Sequence, residues 1–179
     1  MRPAPPRRKS AVAGREERDL TSRFFRVLLT SLTMYLVAVE TSSARGSISL
    51  FTDAELVEEV RFEEGLVHGR EVAIRIKELL ARHGLTPASL SAVGVSVGPG
   101  SYTGIRVGVT AAKTLAFALD LAVVPISSLE AIACTVADQA SFDGPQEVVV
   151  LIDGKQRHVY AARFRLEASE VERLSVDQL

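Results

Sequence analysis

Residues 93–119, "VGVSVGPGSYTGIRVGVTAAKTLAFAL", decide how this chain is read. The run 92–97 is apolar on both faces, as in a strand buried between two layers. A glycine-rich loop over 98–103 follows, and then a helix of about sixteen residues ending near Asp120. Such loops can cradle phosphate, but this one fits neither familiar fingerprint. A phosphate loop places Lys and then Ser or Thr after its last glycine, where Ile105 and Arg106 stand. The dinucleotide pattern needs G-x-G-x-x-G, whereas Gly98, Gly100 and Gly104 are spaced G-x-G-x-x-x-G. Free amides at the helix N-terminus could still hold an anion. The loop reads as a structural turn in preference to that.

Along the helix, Gly104, Gly108, Ala112 and Ala116 recur every four residues and form one stripe nearly bare of side chains. A glycine inside a helix costs about 0.8–1 kcal/mol relative to alanine, so two of them imply that another backbone approaches closely. That backbone can belong to the protein's own sheet or to a second molecule, and both readings are open. In the second, Ile105, Val109, Leu115 and Leu119 supply a separate core face, and Tyr102, Gly104, Ile105, Gly108, Ala111, Ala112 and Ala116 meet the partner. A bulky residue at Gly108 would then abolish association and leave the fold largely intact.

Outward from this stretch the pattern is regular. Strands are expected at 35–40, 46–51 and 55–62, then a helix over 66–83 with Val72, Ile76, Leu79 and Leu80 on one face and Gly84 past its end. Thr86 and Pro87 suit the start of a short turn. "LAVVPI" at 121–126 is a further strand, and Ser127 can cap a helix over 128–138. After the loop "DQASFDGPQ" the opening theme returns, since "LVAVETSSARGSISLF" at 36–51 resembles "VVLIDGKQRHVYAARF" at 149–164. A meander followed by alternating helix and strand means a mixed α/β sheet, here with a second copy begun. The expected organisation is a basic extension over 1–33 without regular structure, a domain over 34–140, and the start of a second, incomplete domain over 146–179.

With 179 residues and a net charge of −1, the charge is unevenly spread. Residues 1–33 carry seven Arg and one Lys against Glu16, Glu17 and Asp19, an excess of five positive charges that leaves −6 for the remainder. An acidic body is a poor polyanion surface, so any service to a nucleic acid is expected to run through a partner. The run "VLLTSLTMYLVAV" imitates a signal-peptide core, but "YLVAVETSS" reads as a first strand that cleavage would destroy, and the run is too short and polar to span a bilayer. Met34 is the expected working start. One cysteine, Cys134, permits no internal disulfide and suits a reducing cytoplasm.

No activated nucleophile, metal cluster or acid–base pair is legible. His68, His83 and His158 are not at metal spacing, since a helical H-x-x-x-H partner for His68 would fall on Val72. Cys134 reads as a small core residue of its helix. Glu40 and Asp153 end the first strands of the two repeats, where a carboxylate can face a cleft or close a turn.

Together "LVAVETSSARGSISLF", the segment 94–133 and "LIDGKQRHVYAARF" at 151–164 resemble the TsaB (YeaZ) family of bacterial tRNA-modification proteins. The resemblance runs from Tyr35 to Phe164. It implies a duplicated actin-like ATPase (ribonuclease H-like) fold. It also implies a non-catalytic subunit, with no catalytic, metal or cofactor residues of its own, that supports a metal-bearing TsaD-type subunit in threonylcarbamoylation of adenosine 37 in tRNAs reading ANN codons. A TsaE-type ATPase joins the assembly, a homodimer forms when the chain is alone, and tRNA is engaged only indirectly. Glu40 stands where the family usually has Asp, and Gly154, Lys155, Arg157 and His158 depart from the pattern "IDAR-x-GEVY". The rival reading is a small actin-like-fold ATPase or kinase using "SSARG" and "DGKQR" as paired phosphate loops.

Overall fold

Three neighbouring strands open the described chain, because an apolar run at 35–39, an alternating run at 47–52 and a third at 55–61 are separated by turns. A computed structural model describes residues 33–53, 55–62, 69–155, 157–167 and 170–175. The expected extension over 1–33, except Thr33, lies outside the described residues, as do His68 and the first turn predicted for the helix at 66. Strands β1 (Tyr35–Glu40), β2 (Ser47–Thr52) and β3 (Glu55–Arg61) form an antiparallel meander. Helix α1 (Gly69–Arg82) follows, and Gly84, at φ +68°, turns the chain out of it in the left-handed conformation that glycine adopts without strain. A 3₁₀ turn at Pro87–Ser89 leads into β4 (Leu90–Gly98).

Helix α2 (Tyr102–Leu119) begins where Ser101 Oγ accepts from the Gly104 amide and ends at Asp120 in the left-handed region. It is longer than expected and starts two residues earlier. Strand β5 (Ala122–Ser127) and helix α3 (Ser128–Gln139) complete this part, with Ser127 Oγ capping α3 as its sequence predicts. The sheet order is β3-β2-β1-β4-β5, with β4 parallel to both β1 and β5. Crossovers through α1 and α2 make those parallel pairings possible.

A second sheet of order β6-β7-β8 is built from β6 (Gln146–Lys155), β7 (His158–Glu167) and β8 (Glu170–Arg173). Its β6-β7 pair repeats β1-β2, as the internal resemblance predicts, and β8 extends it to a three-stranded antiparallel meander like β1-β2-β3. The short strand β8 was not anticipated. Its four residues, "EVER", are mostly charged and give no apolar run to read.

Two cores result. Val72, Ile76, Leu79 and Leu80 of α1, one face as expected, pack with Val37, Val39, Ile48, Leu50, Val93 and Val95. Each such burial stabilises by about 1.5–3 kcal/mol before conformational entropy is counted. The second core joins Leu129, Ala133 and Ala137 of α3 to Val150, Ala162, Phe164 and Leu166. The inward face of α3 excludes Cys134, which lies exposed. That corrects its expected core position: the buried residues recur as 129, 133 and 137, and position 134 falls outside their stripe.

Candidate functional site

The stripe of small residues faces the protein's own sheet. Gly108, Ala112 and Ala116 are buried and Gly104 is half-buried. A Cβ built on Gly104 would overlap the carbonyl oxygen of Thr41, and one on Gly108 would overlap Thr41 Oγ1. Thr41 Oγ1 donates to the Gly104 carbonyl at 2.8 Å, and the Ser101 amide donates to the Ser42 carbonyl at 2.6 Å. The close backbone implied by the glycines is therefore the turn after β1. Of the two open readings of the stripe, the packing is the internal one for Gly104, Gly108, Ala112 and Ala116, so a bulky Gly108 is not expected to spare the fold. The Ser101 amide of the loop serves that same turn.

The opposite side of α2 is open. Tyr102 is 75% exposed and Phe117 92% exposed, with Thr103, Arg106, Thr110, Lys113 and Thr114 exposed between them. Of the remaining residues expected to meet a partner, Ile105 and Ala111 are half-buried. The Arg106 guanidinium lies 5.4 Å from the Tyr102 ring centroid, which steadies both side chains on the first turns. Between α1 and α2 runs a groove of about 600 Å³, floored by Ala73, Ile76 and Ala111 and rimmed by Arg106, Thr110 and Thr114. Phe117 and Arg106 were not among the expected residues, because the spacing of the small residues describes only the stripe itself. The residues half a turn away from it carried the signal.

A second concavity, about 960 Å³, lies between the two sheets. The turn 40–44, the loop 99–104, the start of α3 and residues 152–155 line it. The two acidic strand ends close equivalent turns: the Glu40 carboxylate accepts from the Ser42 amide, and Asp153 Oδ1 accepts from the Lys155 amide at 2.9 Å. The Lys155 amide, followed by the Lys155 ammonium, holds the Asp153 carboxyl below its usual value. At the cleft floor Ser128 Oγ lies 3.0 Å from Ser42 Oγ and 2.8 Å from Ser96 Oγ, so the three buried hydroxyls satisfy one another. Among the described residues no three His, Cys, Asp or Glu side chains gather where a metal ion could be held. No helix among them is long and apolar enough to cross a membrane.

The sheet order, the crossovers and the repeated meander around an interlobe cleft define an actin-like (ribonuclease H-like) α/β protein. A family model described as "TsaD: tRNA N6-adenosine threonylcarbamoyltransferase" matches residues 67–179. The chain belongs to that family, in its TsaB (YeaZ) branch. It is 32% identical over 145 residues to the tRNA threonylcarbamoyladenosine biosynthesis protein TsaB of Bacillus subtilis, covering 81% of this chain and 61% of the relative. With the protein of the same name from Haemophilus influenzae it shares 37% identity over 127 residues, covering 70% and 51%. The chain thus spans between half and two thirds of the length of these relatives. The solved structure of YeaZ from Pseudomonas aeruginosa has the same fold, with a TM-score of 0.71 at 23% identity, covering 81% of this chain and 66% of that one.

Proposed function

We infer that the chain serves threonylcarbamoylation of adenosine 37 in tRNAs reading ANN codons as a binding subunit that supports a TsaD-type catalytic subunit. The pathway follows from the names its relatives carry. The observation that carries the binding role is the outer face of α2, where Tyr102 and Phe117 stand out beside an apolar groove. A large exposed aromatic with small residues around it is the composition of a protein-binding anchor. Tyr102, Ile105 and Ala111 belong to the docking surface in this reading, whereas Gly104, Gly108, Ala112 and Ala116 act by holding α2 in place. A TsaE-type ATPase completes the assembly, and alone the chain pairs with itself through the same face.

Co-expression with a TsaD-type subunit, size-exclusion chromatography and assay of modified tRNA test this. Co-elution and restored modification are expected. Separate elution of a folded chain would sink the reading. A second reading, nucleotide binding, is favoured by one observation: the turns at 40–44 and 152–155 line the same cleft. Calorimetric titration of the isolated chain with ATP decides it, and micromolar binding would support that reading.

A further inference from the structure

The groove between α1 and α2 carries charge of one sign. Two ionised side chains line it, Lys77 of α1 and Arg106 of α2, and both are exposed cations. Among the described residues neither has an ion-pair partner, whereas Arg75, Arg82, Arg163 and Arg165 are each matched to a carboxylate. Lys113 adds a third positive charge to the exposed side of α2, and the eighteen residues of that helix include no Asp or Glu. The carboxylates of α1 stand clear of the groove: Glu71 is held by Arg75 at 2.7 Å, and Glu78 is not part of the lining. A strip bearing cations alone runs against the net negative charge of residues 34–179.

Filling the groove with apolar side chains would withdraw these two charges from water, and an unmatched charge is costly to desolvate. On the reading of this face as a docking surface for a TsaD-type subunit, we infer that Lys77 and Arg106 determine which partner the groove accepts. The occupant is a helix whose apolar ridge seats against Ala73, Ile76 and Ala111 and whose flanking Asp or Glu side chains meet the two cations. Arg106 is suited to that contact. A guanidinium presents a planar fork to a carboxylate, and the Tyr102 ring, 5.4 Å away, limits where the fork points. A second copy of the chain is the poorer occupant. Two copies meeting groove to groove across a two-fold axis offer each other the same lining, which among the described residues contains no carboxylate. Cations then face cations. The same two residues thus attract an acidic partner and weaken the self-pair.

Titration calorimetry of the full chain with a TsaD-type subunit at about 50 mM and about 500 mM NaCl, paired with sedimentation velocity of the chain alone, tests this. Raising the salt is expected to weaken binding of the subunit about tenfold and to tighten self-association, because it screens attraction in one case and repulsion in the other. Lys77→Gln combined with Arg106→Gln should lose about tenfold in affinity for the subunit, with the salt dependence gone, and should self-associate more tightly than the parent. Both positions are exposed, so the melting of this neutral variant is expected to match the parent's. A parent whose binding ignores salt, or a neutral variant that binds the subunit as tightly as the parent, overturns the inference and leaves the docking reading standing. A neutral variant that self-associates no better overturns the selection against a second copy. A folded parent that never binds the subunit removes the docking reading itself, and this inference with it.

Discussion

Thr41 and Gly104 lock the turn after β1 onto the start of α2: the threonine hydroxyl donates to the glycine carbonyl at 2.8 Å, and the threonine carbonyl fills the space a side chain at 104 would need. Alanine ordinarily improves a helix by about 1 kcal/mol over glycine. At this position the sign reverses, because the obstructing atom is backbone and cannot swing away. Gly104→Ala and Gly108→Leu are expected to cost about 1–3 kcal/mol or more, the usual range for overpacking. For a chain of this length that lowers Tm by roughly 2–4 °C per kcal/mol, readable by calorimetry. Unchanged melting of either variant would remove the explanation given for these glycines.

On the outer side of the same helix the expectation is opposite. Phe117→Lys and Tyr102→Ala replace exposed side chains and should move stability by no more than about 0.5 kcal/mol. Co-purification with a TsaD-type subunit should nevertheless fall sharply. Retention of the partner at wild-type level by both variants would place docking elsewhere.

Glu58 joins the edge strand β3 to the end of α1. Its carboxylate meets Arg82 at 2.8 Å and His83 Nε2 at 2.7 Å. Arg82, then His83, holds its pKa below the ordinary value of 4.5. A carboxyl whose folded pKa is depressed stabilises the fold above its unfolded pKa and loses that contribution as pH falls through the folded value. Glu58→Gln should therefore melt below the parent at neutral pH, with the gap closing as pH drops below about 4.5. Denaturation curves across pH 3–7 check this, and a gap that widens on acidification would contradict it.

Cys134 sits on the exposed side of α3, yet its thiol should react slowly. Partial desolvation, followed by the Glu130 and Asp138 carboxylates, raises its pKa above the usual value. Since the thiolate is the nucleophile, labelling with a disulfide reagent at pH 7 should lag behind a free cysteine and quicken as pH rises. Labelling faster than free cysteine would show that the local field has been misread.

Much of the fold was open to reading because its signals are local. The boundaries of β1, the cap at Ser127 and the left-handed exit at Gly84 follow from neighbours within a few residues. The duplicated mixed α/β architecture was legible in the repeat of "LVAVETSSARGSISLF" in "VVLIDGKQRHVYAARF", which the strand pairs β1-β2 and β6-β7 reproduce, while the actin-like class was implied by the family resemblance. The facing of α2 was not legible. A bare stripe announces a close neighbour without saying which one, and Thr41, which fills it, lies 63 residues away in the chain. Cys134 was misplaced for a related reason: α3 is apolar enough that more than one side could be taken as the buried one. The Ser42–Ser128–Ser96 contacts also depend on tertiary approach, and serines give no periodic signal.

Helix α3 is tied to the first sheet at one end, where Ser128 meets Ser96, while its apolar side is buried among the strands of the second. Twelve residues at 1.5 Å each make a lever about 18 Å long. The helix is thus a strut shared by both lobes, anchored to one at its first turn and to the other along its length.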